Sequence, residues 1–150
     1  MYTIVHKRAL NPSVTWMDIE APFIARKAKA GQFVILRVNE TGERIPLTIA
    51  SADPEKGTVT IIFQKVGKTT LLLDTLEEGD ALLDFVGPLG KATETEGFTH
   101  VAVVGGGVGC AIAYPEAKAL HAAGAKVDMI AGFRSTDIIM LEEEMAAVSD

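Results

Sequence analysis

The sequence predicts two dissimilar halves, a small antiparallel β-barrel or sandwich followed by the opening of an α/β unit with a parallel sheet. Three observations carry this expectation. Up to about Gly97 the chain reads as about six short apolar runs, with turn residues every ~8–12 positions. After it comes the order apolar run, glycines, Ala-rich segment, apolar run, which is the pattern of β–α–β–α with crossover helices. Between the two, Lys91 to Thr99 gathers Thr, Glu and Gly, so the boundary is set there, with residues 1–97 in one unit and 98–150 in the other.

In chain order, Tyr2–Arg8 and Ser13–Ile19 roughly alternate and are split by Asn11-Pro12. Gln32–Val38 follows Gly31 and stops at the turn-rich Asn39-Glu40-Thr41-Gly42. Arg44–Ala50 and Thr58–Val66 continue the series around Asp53-Pro54-Glu55-Lys56-Gly57, and Ala81–Val86 closes it before Gly87-Pro88-Leu89-Gly90. One helix interrupts the strands over Thr69–Leu76, with a Thr as cap and Gly79 as stop. In the second half His100–Val104 reads as a strand buried on both faces. Cys110–Ala123 reads as a helix ending at Gly124, Lys126–Ala131 as a second strand, and Ile138–Val148 as a last helix capped by Thr136 or Asp137. Two parallel strands do not cover themselves, so a further segment or another chain is expected to complete this sheet.

The 150 residues are 48% apolar with a net charge of −6. An acidic chain repels phosphate backbones and anionic membranes, so neither nucleic acid nor lipid is an expected partner. No segment reaches the ~18 apolar residues of a membrane span, and Met1–Arg8 lacks the pattern of a signal peptide, which points to a cytoplasmic protein. Cys110 is the one cysteine, which excludes an intrachain disulfide and any metal cluster held by several cysteines of this chain. No metal site is expected.

The run Gly105-Gly106-Gly107-Val108-Gly109 stands between a strand and a helix. In that arrangement helix-terminal amides face an anion, and glycine lets a pyrophosphate approach the backbone. Counted from Gly105, Gly107 fits the second glycine of the dinucleotide fingerprint, whereas Cys110 stands where the third belongs. Asp128 has the spacing of the ribose-binding acid but lies inside the strand, and Gly132 and Arg134 stand at its end. The alternative is a glycine turn that is merely structural. Val66-Gly67-Lys68-Thr69-Thr70 contains Gly-Lys-Thr, yet Ile62 occupies the position where a P-loop requires its first glycine. What remains is a loop at a helix start offering amides, hydroxyls and a lysine, either a diphosphate site or a plain cap.

Arg44-Ile45-Pro46-Leu47-Thr48-Ile49-Ala50-Ser51 sets a cation, a φ-locking proline and a Thr along a strand. Together with the two loops, this segment resembles the flavin-binding signature of the ferredoxin–NADP reductase superfamily. Its Arg-x-Pro-Leu-Thr-Ile form is similar to the branch holding the dihydroorotate dehydrogenase electron-transfer subunit and the alpha subunit of NADH-dependent reduced ferredoxin:NADP oxidoreductase. The resemblance runs along essentially the whole chain and keeps four motifs in order. It implies a Greek-key, flavin-binding antiparallel barrel followed by a partial Rossmann-like NAD(P)-binding unit. By it, Arg44 meets the FAD pyrophosphate. Pro46, Leu47, Thr48 and Ile49 lie along the isoalloxazine, with Thr48 as the catalytic hydrogen-bonding group near N5 and Leu47 in a position usually aromatic. Gln64, Val66, Gly67, Lys68, Thr69 and Thr70 form the second FAD segment. Gly105, Gly106, Gly107, Val108, Gly109, Gly132 and Arg134 begin the NAD(P) site.

The implied function is an oxidoreductase, an electron-transfer flavoprotein subunit passing electrons between NAD(P)H, FAD and an iron–sulfur partner. That partner is an iron–sulfur flavoprotein subunit or a ferredoxin, in a hetero-oligomer or a self-associated form. Family members continue for roughly a further domain's worth of residues and carry cysteines that hold a [2Fe–2S] centre, which this chain does not ligate. The alternative is a non-catalytic flavin-binding fragment, or a small-ligand module whose glycine loop is structural.

Overall fold

The computed structural model describes residues 1–150. Seven strands make one antiparallel sheet: β1 (Tyr2–Asn11), β2 (Val14–Glu20), β3 (Phe33–Arg37), β4 (Arg44–Asp53), β5 (Thr58–Gln64), β6 (Ala81–Leu82) and β7 (Asp84–Leu89). Their order is β6-β1-β2-β5-β4-β3-β7. β6 and β7 are consecutive in the chain, and Leu83 between them donates its N–H to Arg37 O at 3.1 Å. One stretch therefore pairs with β1 at one edge and β3 at the other, so the sheet is nearly closed into a barrel. This resolves the expectation of barrel or sandwich in favour of the barrel, and it splits the predicted strand Ala81–Val86 in two.

Alternation explains the core. On β5, Val59, Ile61 and Phe63 point inward with Met17, Ile19, Leu36 and Phe85, all at most 2% exposed. Helix α2 (Lys68–Asp74) drops the fully buried Leu73 into the same core. A short helix not among the predicted elements, α1 (Pro22–Lys27), adds Ile24 and Ala25. It has Pro at its first turn, where the missing N–H costs nothing, but Ala21 before it offers no capping side chain.

The second half holds the parallel pair β8 (His100–Gly106) and β9 (Lys126–Gly132), with α3 (Cys110–Ala122) between them and α4 (Glu142–Ala146) at the end. α3 covers one face of the pair through Val101, Val103, Val127 and Met129. The other face is bare, with Val104 69% and Ile130 55% exposed, so β8 is not buried on both faces as its sequence suggested. Beyond β9, Asp150 donates its N–H to Val127 O and accepts from Val127 N at 2.8 Å each, on the side where a third strand would lie. The predicted last helix is also shorter than expected. Thr136–Ile138 is a single 3-10 turn, and Leu141 takes a left-handed conformation (φ 60°) that restarts the chain as α4. That break buries Met140 and Leu141 where a continuous helix would carry them past their contacts.

The halves meet through an apolar seam. Val14, Ala50 and Ile62 on the outer barrel face pack on Cys110, Ala111 and Tyr114 of α3 and on Met140, Leu141 and Met145. At its margin Arg8 pairs with Glu144 at 2.6 Å, its guanidinium 4.5 Å from the Trp16 ring centre, and Asn11 Nδ2 donates to Ile138 O at 3.0 Å. No helix is long and apolar enough to cross a membrane.

Candidate functional site

Two adjoining cavities open where the barrel faces the glycine turn. The first, about 340 Å³, is walled by Pro46, Leu47 and Thr48 of β4, Ile62, Phe63 and Gln64 of β5, Val66 and Thr70, and across from them Val108, Ala111 and Ile112. The second, about 360 Å³, shares Gln64 and Val108 with it and adds Asn11, Ser13, Val14, Gly107, Arg134 and Ile138. Together they form one cleft with an apolar slot at one end and a polar, cationic pocket at the other.

The local chain explains this placement. β5 ends at Gln64, and the turn to α2 brings Thr70 back beside it. The Thr70 hydroxyl accepts from Val66 N and Gly67 N and donates to Gly67 O, all at 3.0 Å, so it closes the loop and is not free for a ligand. The first helical bond is Leu71 N to Gly67 O, which leaves the amides of Lys68, Thr69 and Thr70 ahead of the helical ladder. Thr69 is buried and Lys68 exposed. A Cβ on Gly67 would meet nothing within 4 Å, so that backbone is open to approach.

At the glycine turn the positions divide. A Cβ on Gly105 would fall 3.0 Å from Cys110 Sγ and 3.1 Å from Ala113 Cβ, so this glycine lets β8 and α3 pack closely. Gly106, Gly107 and Gly109 face open space, and Gly107 has φ +53°. Of these three only Gly107 lines the cleft; Gly106 and Gly109, like Gly105, Gly67, Lys68 and Thr69, lie outside its lining. Gly132, at the end of β9, lies outside the lining, as does Ile49, which is buried in the barrel core. Arg44 also stands outside it. Its guanidinium binds Asp84 Oδ2 at 3.0 Å, a carboxylate that Arg37 Nε holds at 2.7 Å. No side-chain hydrogen bond within the chain occupies Thr48, Gln64 or Arg134.

Sequence reasoning missed Ile62, Phe63, Ala111 and Ile112 in the first cavity and Asn11, Ser13, Val14 and Ile138 in the second as wall residues. Val108 and Ile112, one helical turn apart and 38% and 56% exposed, were the available signal of an apolar face left open.

Two relatives and one solved structure are similar along nearly all of the chain. A Clostridium beijerinckii protein described only as an uncharacterized protein in the adh 3' region is 49% identical, covering 97% of this chain and 51% of its own length. The Thermotoga maritima homolog of the dihydroorotate dehydrogenase B (NAD(+)) electron transfer subunit is 44% identical, with 98% and 52% covered. The structure of an NADH-dependent reduced ferredoxin-NADP oxidoreductase, solved for insight into flavin-based electron bifurcation, superposes with a TM-score of 0.96 at 43% identity, with 99% and 54% covered. The resemblance is to the ferredoxin–NADP reductase superfamily. The chain spans about half the length of the curated relatives it matches. No protein-family model matches it. The nearly closed seven-stranded sheet is the counterpart of the ferredoxin-reductase barrel, and the Rossmann-like part is a small parallel sheet with its helix.

Titration within the apolar seam follows its burial. Burial pushes the Cys110 thiol up, which removes it as a nucleophile near neutrality. Burial also raises the Tyr114 hydroxyl, with Glu144 adding to this and Arg8 opposing it. Burial pushes Glu144 up as well, but its hydrogen bond and charge pairing with Arg8, with a backbone bond, outweigh burial and hold it below the usual carboxylate value.

Proposed function

We propose that the chain is the FAD-binding portion, with the start of the NAD(P)-binding portion, of an electron-transfer flavoprotein subunit that passes electrons between NAD(P)H, FAD and an iron–sulfur partner. The observation that carries this reading is the shared cleft. Four sequence motifs far apart in the chain contribute Leu47 and Thr48, Gln64 and Thr70, Val108, and Arg134 to two adjoining cavities that share Gln64 and Val108. The divide between barrel, residues 1–97, and nucleotide unit, 98–150, is part of the same proposal.

The residues present fit FAD. Leu47 and Pro46 face Val108, Ala111 and Ile112 across a slot suited to a flat apolar ring, and open amides at Gly67 and the glycine turn suit pyrophosphates. FAD held there supplies the ring that accepts hydride from a nicotinamide and releases electrons singly. The chain's own tasks are positional. Thr48 offers its hydroxyl to the ring edge, Leu47 packs against the ring face, and Lys68 and Arg44 supply positive charge near the diphosphate. Arg44 reaches it by sharing or leaving Asp84. Gly106, Gly107 and Gly109 with Arg134 receive the dinucleotide. An iron–sulfur cluster does not fit these residues, since the one cysteine is buried. Electrons therefore leave to another segment or subunit, an iron–sulfur flavoprotein or a ferredoxin, and the complex is hetero-oligomeric and cytoplasmic.

The test is a visible spectrum after FAD addition, repeated anaerobically with NADH and NADPH. Retained flavin that bleaches supports the whole reading. Retained flavin that stays oxidised leaves a flavin-binding fragment, which the bare face of the β8–β9 pair favours. A colourless protein overturns the proposal.

A further inference from the structure

A cavity of about 420 Å³, separate from the cleft described above, lies behind α3, between it and the second half of β4. Its wall is built from four segments of both halves: the turn after α1, β4, the linker at Thr93 and Thr95, and α3 from Pro115 to Ala122. The linker is pinned there, with Thr93 N donating to Ala30 O at 2.9 Å and Thr93 Oγ1 to Glu116 Oε1 at 2.9 Å. A cavity of this size between two units, apolar with a few convergent polar groups, is where small ligands bind in proteins generally.

We propose that this rear cavity binds a small organic anion with an apolar body. Two lysines line it and no carboxylate does, in a chain whose 20 acidic residues outnumber its 14 basic ones. Neither Lys29 nor Lys118 forms an ion pair. Lys118 Nζ donates to Ser51 Oγ at 3.0 Å, which holds the ammonium at the rim and leaves its other protons free. Hydroxyls of Ser51 and Thr95 border the same opening, that of Thr93 being donated to Glu116, while Ile49, Ala50 and Ala119 form an apolar floor. The cations select a carboxylate or phosphate, and the floor selects a hydrocarbon or ring attached to it. Because β4 and α3 also wall the front cleft, an anion here braces the two halves against each other. The site stands whether or not the chain binds flavin.

The experiment is an amide NMR titration of the flavin-free chain with benzoate, phenyl phosphate and, as a neutral control, benzamide. Saturable shifts are expected at Ser51, Thr93 and Ala119 with dissociation constants on the order of millimolar for ligands this small. Benzamide should bind about tenfold more weakly, and Lys118→Gln should weaken both anions by a similar factor. Ala122→Phe, which fills the cavity from the exposed side of α3, should abolish the shifts while the rest of the spectrum is kept. Phenyl phosphate binding much more tightly than benzoate would identify a phosphate ester as the ligand class, and the reverse a carboxylate. Equal binding of benzamide, shifts that ignore Lys118→Gln, shifts centred on Val104 and Ile130 of the bare sheet face, or no saturable shift at all would each overturn the proposal.

Discussion

Gly105→Ala and Gly106→Ala are neighbouring substitutions with opposite expected outcomes. The added methyl at Gly105 would lie 3.1 Å from both Ala113 Cβ and Cys110 Cα and 3.0 Å from Cys110 Sγ. Carbon atoms settle at about 3.5–4.0 Å, so the contacts are roughly half an ångström too short. No rotamer relieves them, since neither Ala113 Cβ nor a backbone Cα swings away. α3 must move instead, and its other side is packed on Val14 and Ile62 of the barrel. Overpacking of this kind costs about 1–3 kcal/mol. For a chain of this size each kcal/mol is worth roughly 2–4 °C of melting temperature, giving an expected drop of about 2–12 °C. Gly106 has φ −129°, which alanine adopts freely, and its methyl meets nothing within 4 Å, so its melting temperature should move by no more than about 1 °C. Its effect should appear instead as weaker nucleotide binding. Thermal unfolding followed by circular dichroism reads the first difference and nucleotide titration the second. A Gly105→Ala variant that melts with the parent would refute the close strand–helix approach, and an equal drop in both variants would refute the assignment of Gly106 to the open side.

Three other outcomes follow from the same geometry. Arg44→Gln leaves Asp84 paired with Arg37, so stability should fall by less than about 1 kcal/mol while FAD affinity falls about tenfold; unchanged affinity by flavin fluorescence removes Arg44 from the site. Thr48→Val keeps the side-chain shape and should leave the melting temperature nearly unchanged, yet slow anaerobic bleaching of bound flavin by roughly tenfold; an unaltered rate refutes its role at the ring edge. Urea unfolding across pH should show a plateau with two limbs. The Cys110 and Tyr114 values are raised from 9.0 and 10.0, so their contribution is complete below those values and lost as pH rises through the higher folded ones. The Glu144 value is lowered from 4.5, so its contribution holds above 4.5 and is lost as pH falls through the lower folded one; Glu144→Gln should flatten that acid limb and, by removing a charge that helps raise Tyr114, also weaken the alkaline one.

Strand alternation was legible because it is local. Every predicted strand of the first half has a counterpart within a few residues, and α3 stops before Gly124, whose φ of +96° ends the helix. What the sequence did not disclose depends on partners distant in the chain. Thr58–Gln64 sets Val59, Ile61 and Phe63 on one face and Thr58, Thr60, Ile62 and Gln64 on the other, and nothing local says that this second face, through Ile62, packs on α3. α1 is too short for a periodicity and its cap residue is an alanine. The break at Leu141 is equally invisible, because Leu is an ordinary helix former and takes a left-handed turn here only where burial of its side chain and of Met140 outweighs the local cost.

The site divides along the same line. Pro46, Leu47, Thr48, Gln64, Val66, Thr70, Gly107, Val108 and Arg134 were all legible as motif residues, and the cleft gathers them. Motif reading treats neighbours alike, however, and the structure does not. Ile49 turns inward from Thr48 because a strand alternates, and Gly105 is closed off by packing whereas Gly106 and Gly107 face open space. The Thr70 hydroxyl is consumed by its own loop, so what Thr70 offers a ligand is its amide. Arg44 is the sharpest case. A cation at that point in the motif is legible from sequence, but its engagement with Asp84, forty residues on, is not. If Arg44 binds a diphosphate, that anion competes with a carboxylate already held by Arg37, and Asp84→Asn should then raise flavin affinity by freeing the guanidinium. A site whose cation is released by its ligand is more selective for strongly charged groups than one whose cation stands free, because the ligand must offset the broken pair, which a diphosphate bridge with one charge on each phosphate does better than a single weak anion.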